Sequence, residues 1–210
     1  MNKRFLKQIT PLIVSLVIVG GLALLVRKWG QQFERPFERL VVEALPEIPD
    51  LISRPPALAA RLDAAHSRLS DPGAQRDALA ELAKLYHANG FNREAESCYL
   101  GLEGYEPENP LWPYLIAELR SDYRDPERQI RYLERSLELD PGYAVAYWKL
   151  GDARLKAGSP EAAAAEYHAG LEVEPESVWG HVGLAKVALA QKDLGLARER
   201  LERACASPTP

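Results

Sequence analysis

Residues 143–175 read YAVAYWKLGDARLKAGSPEAAAAEYHAGLEVEP, and this segment is one copy of a unit that recurs along the chain. The period is 34 residues, and proline shows it most clearly at Pro107, Pro141 and Pro175. Three further kinds of position keep the same spacing: a leucine or isoleucine, the small residue after it, and a larger apolar residue. They are Leu82, Ile116, Leu150 and Leu184, then Ala83, Ala117, Gly151 and Ala185, and finally Tyr99, Leu133, Tyr167 and Leu201. A fixed period of this length indicates a stacked array of repeats.

The order of residue types within the period resembles the tetratricopeptide repeat (TPR), a helix–turn–helix unit of about 34 residues. The residues that carry the resemblance best are Tyr147, Leu150, Gly151, Ala163, Tyr167 and Pro175. The resemblance implies an all-α fold, an α–α superhelix or solenoid built from four repeats. We place these repeats at residues 76–109, 110–143, 144–177 and 178–210.

Hydrophobic spacing within the unit agrees with this fold. Apolar residues at helical spacing, such as Leu79, Leu82 and Tyr86, mark one face of the first helix in a repeat. The small residue after each leucine allows neighbouring helices to approach closely, and Tyr167 and Leu201 are expected to fill the remaining gaps. A single helix pair cannot bury its apolar face alone, so the core must form by stacking.

The amino terminus carries a second, separate feature. Residues 9–26 contain no charged side chain, and a helix of this length spans roughly 27 Å, close to the roughly 30 Å of a bilayer core. Arg27 and Lys28 follow directly and no small-x-small site closes the run, which disfavours a cleaved signal peptide. We predict a basic flank and a transmembrane helix within residues 1–29, and hence a single-pass membrane protein.

Basic residues flank this predicted span on both sides, so the positive-inside rule does not decide its orientation. They are Lys3, Arg4 and Lys7 before the span and Arg27, Lys28, Arg35 and Arg39 after it. A short amino-terminal tail is easily left in the cytoplasm. We therefore expect the repeat body on the extracytoplasmic side of the membrane.

Two segments connect the predicted span to the repeats. Residues 30–56 contain five prolines and are predicted to be a linker, because proline interrupts long helices. Residues 57–75 are predicted to hold an amphipathic helix that covers the first repeat, with a degenerate half-repeat as the alternative. At the carboxyl end two alternatives stay open: the last helix is polar enough to end the array, or the chain is the front of a longer protein.

The sequence offers no arrangement of residues that points to catalysis. The four histidines are isolated, and none has the spacing of a zinc or metalloprotease motif. Cys98 and Cys205 occupy different repeat positions and are expected to be buried thiols. We predict a protein that is not an enzyme and binds no cofactor and no metal. The chain after residue 30 holds 21 basic and 30 acidic residues, so nucleic acid is not an expected partner.

The resemblance to TPR proteins implies a concave groove lined by the first helix of each repeat. Carried onto this sequence, it predicts a partner-binding set of Lys84, His87, Tyr114, Glu118, Trp148, Asp152, Trp179 and Lys186. The alternative for Trp148 and Trp179 is that their rings pack between repeats. The basic and asparagine clamp with which some family members hold a Glu-Glu-Val-Asp tail has no counterpart here.

These features lead to one main hypothesis and two alternatives. The main one is a membrane-anchored TPR scaffold that binds a protein or peptide partner, itself membrane-associated, in its groove. The first alternative is the amino-terminal regulatory or assembly segment of a larger enzyme or cofactor-maturation system. The second is self-association through the exposed end of the fourth repeat.

Overall fold

A computed structural model describes residues 45–49, 55–121 and 125–206 of the chain. These residues contain nine α-helices and no strand, as the periodicity predicts. The helices, numbered in chain order, are α1 (Pro56–Arg68), α2 (Gln75–Ala88), α3 (Asn92–Tyr105), α4 (Leu111–Arg120), α5 (Pro126–Leu139), α6 (Ala144–Lys156), α7 (Pro160–Val173), α8 (Val178–Ala190) and α9 (Leu194–Ala206). Each helix packs on the next one in the chain, and α6 also contacts α8. The result is an all-helical, TPR-like solenoid.

Helices α2, α4, α6 and α8 are the first helices of the pairs, and α3, α5, α7 and α9 are the second helices. The turn within a pair requires a left-handed backbone, which glycine adopts without steric cost. Gly90 and Gly158 supply it at φ +77° and +79°. Lys192 takes the equivalent place in the last pair at φ 63° and is the one non-glycine residue with a positive φ in the described ranges.

The small residues of the repeat lie where helices approach most closely. Ala117, Ala146 and Ala153 are fully or almost fully buried and form one core cluster with Leu133 and Leu150. Because these alanine side chains are small, the helices approach closely and the two leucines pack directly against the neighbouring helices. The small residue that recurs at 34-residue intervals, Ala117 in this repeat, is therefore explained by close helix packing.

Tyr167 of α7 is packed between two first helices. A β-carbon added to Gly151 on α6 would lie 2.6 Å from the Tyr167 ring, and one added to Gly183 on α8 would lie 2.2 Å from it. The ring is 1% exposed. Glycine at both positions makes room for a full aromatic ring between consecutive repeats.

Glu106 joins the first two helix pairs through a network of side-chain hydrogen bonds. Its carboxylate accepts two hydrogen bonds from Arg76, at 2.9 and 3.2 Å, and one each from Asn109 Nδ2 and Trp112 Nε1, at 2.9 and 2.8 Å. These donors, Arg76 first, hold the pKa of Glu106 below its usual value. The Arg76 guanidinium also lies 5.6 Å from the centre of the Trp112 ring.

Helix α1 packs on α2 and buries Leu58, Leu62 and Ala65. It occupies the first part of the predicted segment 57–75, and the chain turns at residues 69–74 before α2 begins. The predicted membrane span 9–26 and most of the predicted linker 30–56 lie outside the described residues. In the part that is described, no helix has both the length and the apolar character needed to cross a bilayer.

Candidate functional site

Ion pairs link successive first helices along the face that the sequence predicts to be the groove. Lys149 of α6 lies 2.7 Å from Glu118 of α4, measured from Nζ to Oε2. Lys186 of α8 lies 2.8 Å from Asp152 of α6, measured from Nζ to Oδ1. Three of the predicted groove residues, Glu118, Asp152 and Lys186, therefore already form ion pairs within the protein.

The amino-terminal members of the predicted groove lie apart from these pairs. Lys84 is exposed on α2, and His87 is half-buried with Nδ1 3.3 Å from the Tyr99 hydroxyl. His66 Nε2 lies 3.1 Å from the Tyr86 hydroxyl in a similar arrangement. Among the described residues, no group of three or more His, Cys, Asp or Glu side chains is arranged to hold a metal ion. The two histidines are placed as hydrogen-bonding neighbours of buried tyrosines.

Tyr114 is half-buried and contacts the loop before the next repeat. Its ring centre lies 5.1 Å from that of Tyr143, with the two planes at 71°. Burial raises the pKa of the Tyr114 hydroxyl above its usual value, and nearby Glu118 raises it further. This tyrosine is therefore an uncharged, partly accessible aromatic side chain beside the Glu118–Lys149 pair.

Trp148 lies in the core instead of on an open groove surface. It is only 6% exposed and belongs to a buried cluster with Ala144, Tyr167 and Leu184. A β-carbon added to Gly170 would lie 2.2 Å from the Trp148 ring, so glycine makes the space that the ring occupies. The structure thus supports the alternative left open for Trp148, packing between repeats.

Trp179 shows the opposite behaviour and is 67% exposed at the start of α8. It borders a cleft of about 470 Å³ between the start of α6 and the turn that connects α7 to α8. Residues that line this Trp179 cleft include Val145, Trp148, Glu174, Pro175, Glu176 and Trp179. The structure therefore brings Trp148 and Trp179 to one cleft, with Trp148 as a buried wall and Trp179 as its exposed edge.

Two carboxylates at this cleft are absent from the predicted groove set. Glu174 and Glu176 are exposed in the turn between α7 and α8, and neither forms an ion pair within the described ranges. The prediction considered only first helices and so passed over the connecting turn. The one sequence feature that could have identified Glu174 and Glu176 as site residues is that they lie within five residues of Trp179.

A second cleft, of about 480 Å³, lies on the outer side of the last helix pair. Leu189, Leu194 and Leu201 are exposed there by 50%, 71% and 43%, and Cys205 is also exposed. The expectations that Leu201 fills an inter-repeat gap and that Cys205 is buried are therefore wrong, whereas Cys98 is buried as expected. The physical reason is that no helix within the described residues packs on this side of α9.

Comparisons with known proteins agree with this architecture. A family model described as tetratricopeptide repeat matches residues 148–209. A comparison with curated protein sequences finds no match. The described body is thus a TPR-like solenoid, and its carboxyl-terminal part carries tetratricopeptide-repeat sequence.

Three solved structures illustrate the structural similarity. MamA 41-end from Desulfovibrio magneticus RS-1 has a TM-score of 0.64 at 15% identity, covering 74% of this chain and 88% of that one. YrrB, a TPR protein with an unusual peptide-binding site, has a TM-score of 0.59 at 18% identity, covering 74% and 80%. The first TPR of Spaghetti (RPAP3), solved with the HSP90 peptide SRMEEVD, has a TM-score of 0.53 at 26% identity, covering 56% and 93%.

Proposed function

We propose that this chain is a non-catalytic, membrane-anchored scaffold that binds a segment of a partner protein on the face formed by its first helices. The observation that carries the proposal is Trp179, a large aromatic side chain left 67% exposed at the mouth of a cleft. Tryptophan is one of the residue types enriched among the side chains that contribute most to protein–protein binding. Val145, itself 39% exposed, extends the apolar surface on the other side of the cleft.

Similar structures support a peptide as the bound species. Both YrrB and the first TPR of RPAP3 are peptide-binding TPR proteins of related fold. A cleft of about 470 Å³ is large enough for one or two side chains of an extended segment. We propose a different ligand from the HSP90 tail, because Glu118 and Asp152 place acidic groups where a carboxylate-binding clamp needs positive charge.

The proposed anchor rests on the charge-free run at residues 9–26 and the basic residues on both sides of it. A single span keeps the repeat body at the membrane surface, which raises its effective concentration for partners in the same membrane. We place the body on the extracytoplasmic side, as the short amino-terminal tail suggests.

Crosslinked capture from native membranes tests the binding function. Full-length protein and its Trp179→Ala variant are compared, and we expect the variant to lose its partner while its circular dichroism spectrum stays unchanged. Leu194→Ala is the matched control, because Leu194 is 71% exposed on α9 outside the Trp179 cleft. Equal capture by all three proteins would contradict the proposal.

Membrane extraction tests the anchor separately. We expect the full-length chain to stay in the membrane pellet after an alkaline carbonate wash and to be released by detergent. A version without residues 1–29 is expected in the supernatant. Recovery of the full-length chain in the aqueous fraction would rule out the anchor without affecting the binding experiment.

A further inference from the structure

We infer that the Trp179 cleft recognises a basic–apolar segment of its partner, with a lysine or arginine held between Trp179 and the carboxylates of Glu174 and Glu176. The inference rests on the proposed function and specifies the chemistry of the bound segment. Three features carry it: unpaired negative charge at the cleft, an exposed aromatic face beside that charge, and an apolar wall behind them.

The negative charge at the cleft is not neutralised by the protein itself. Glu174 and Glu176 are both exposed, and within the described part of the chain neither has an ion-pair partner. Glu176 interacts electrostatically with His181, whose pKa is lowered by burial and, further, by Arg200 and Arg203. The imidazole is therefore neutral near pH 7, and Glu176 keeps its charge available for a ligand.

This situation differs from that of the other acidic residues on the same face. Glu118 is paired with Lys149, and Asp152 accepts hydrogen bonds from both Lys186 and Tyr167. A ligand cation that approached either would have to compete with a lysine already in place. At the two glutamates of the α7–α8 turn, in contrast, a cationic side chain of a partner can bind without displacing a lysine of the protein.

Trp179 adds a second attraction for a cation. An ammonium or guanidinium group over an indole face is stabilised by the ring's quadrupole, and tryptophan is the strongest of the aromatic side chains in this respect. Because Trp179 is 67% exposed, its ring is accessible to a ligand side chain in the free protein. An acidic segment would meet both the electron-rich ring face and the two carboxylates, and would be repelled.

The apolar wall determines the residue next to the cation. Val145 and the edge of Trp148 line the side of the cleft formed by α6. A leucine, isoleucine or similar side chain beside the bound lysine or arginine would cover this wall and remove it from water. A purely basic segment would leave the wall uncovered, so the proposal requires both components.

Fluorescence anisotropy with full-length protein in detergent micelles tests the inference. Two labelled nine-residue probes share alternating leucines and differ only in the intervening residues, which are arginine and lysine in one and glutamate in the other. We expect the basic probe to bind at least about tenfold more tightly, from cation–π and rim-charge attraction together. Glu174→Gln with Glu176→Gln should reduce this preference to about threefold or less.

Glu108→Gln with Glu127→Gln is the matched control, because it removes the same net charge from exposed positions outside the cleft. It should leave the preference unchanged. Equal binding of the two probes, no binding of the basic probe up to about 1 mM, or an equal effect of both double variants would overturn the inference. None of these results would change the outcome of the Trp179→Ala capture from membranes, so the two proposals fail separately.

Discussion

The hydroxyl of Tyr167 donates a hydrogen bond to Asp152 Oδ1 over 2.8 Å, and the same oxygen accepts a hydrogen bond from Lys186 at 2.8 Å. One carboxylate oxygen thus receives donors from a second helix, α7, and from the next first helix, α8. The hydrogen bond from the buried Tyr167 therefore fixes the position of the Asp152 carboxylate that pairs with Lys186.

Removal of that hydroxyl is expected to weaken the third repeat without opening a cavity. Tyr167→Phe should lower the free energy of unfolding by about 1–2 kcal/mol, because a hydrogen bond to a charged acceptor is lost in a half-buried site. Urea denaturation followed by circular dichroism measures the change. Tyr132→Phe is the control, since that ring packs against the Leu133 cluster and does not contact Asp152. A Tyr167→Phe variant as stable as the wild type would show that the hydrogen bond contributes nothing.

Alanine at Gly183 should disturb the packing of Tyr167 directly. The added β-carbon would lie 2.2 Å from the ring, a distance that forces the ring or a helix to move. We expect a loss of about 1–3 kcal/mol in the free energy of unfolding, the usual cost of overpacking.

Gly195→Ala provides the comparison for this change. Its β-carbon would meet only Asp193 Oδ1 at 3.5 Å, an ordinary contact, within helix α9. It should be neutral or stabilising by up to about 1 kcal/mol, because alanine favours helix more than glycine. If both alanines had the same effect, the close approach of Gly183 to Tyr167 would not be the cause.

The two cysteines should differ strongly in reactivity. Burial raises the pKa of the Cys98 thiol to about 12, so its thiolate is scarce at neutral pH and is also inaccessible. Cys205 is exposed. Titration with a disulfide reagent at pH 8 should show one fast thiol, and the second only after denaturation. Cys205→Ser should abolish the fast phase, and a persistent fast phase in that variant would contradict the burial of Cys98.

Glu106 should make stability depend on pH in the acidic range. Its pKa is lowered in the folded protein, so the stabilisation that it provides is fully present above the unfolded value of about 4.5. It is lost as the pH falls through the lower folded value, because the unfolded chain binds the proton more readily.

Glu106→Gln tests this linkage. It should lower the free energy of unfolding at pH 7 by about 1–2 kcal/mol and reduce its fall below pH 4.5. Thermal unfolding at several pH values measures both effects. Glu108→Gln is the control at an exposed neighbouring position. An unchanged pH profile in Glu106→Gln would exclude this carboxylate as the source.

The helical repeat could be predicted from the sequence because spacing alone specifies it. Leu82, Ile116, Leu150 and Leu184 are all buried, and the glycines Gly90 and Gly158 stand at the turns with positive φ. These features depend on local geometry and on a repeated contact between neighbouring units. The buried leucine or isoleucine recurs in all four copies of the repeat, and the turn glycine recurs in two of them.

The candidate site was less predictable, because it depends on where individual repeats differ. Trp148 occupies a position that faces the groove in the family. In this protein, however, the absence of a side chain at Gly170 leaves a space that the Trp148 ring fills. Glu174 and Glu176 lie in a connecting turn, where no periodicity indicates which way a side chain points. Leu201 keeps a core position in the pattern, but it is exposed, as is Cys205, because the described chain provides no further helix over α9.

The seating of Tyr167 between Gly151 and Gly183 has a consequence for how the array comes apart. The Tyr167 ring of α7 packs against both α6 and α8. Unfolding of any one of these three helices would therefore remove packing contacts from the other two. Amide hydrogen exchange in these three helices should therefore follow a single opening event, while α9 exchanges earlier. In this part of the protein, force or a protease should therefore unfold α6, α7 and α8 together. The boundaries of this cooperative unit do not coincide with the boundaries of one repeat.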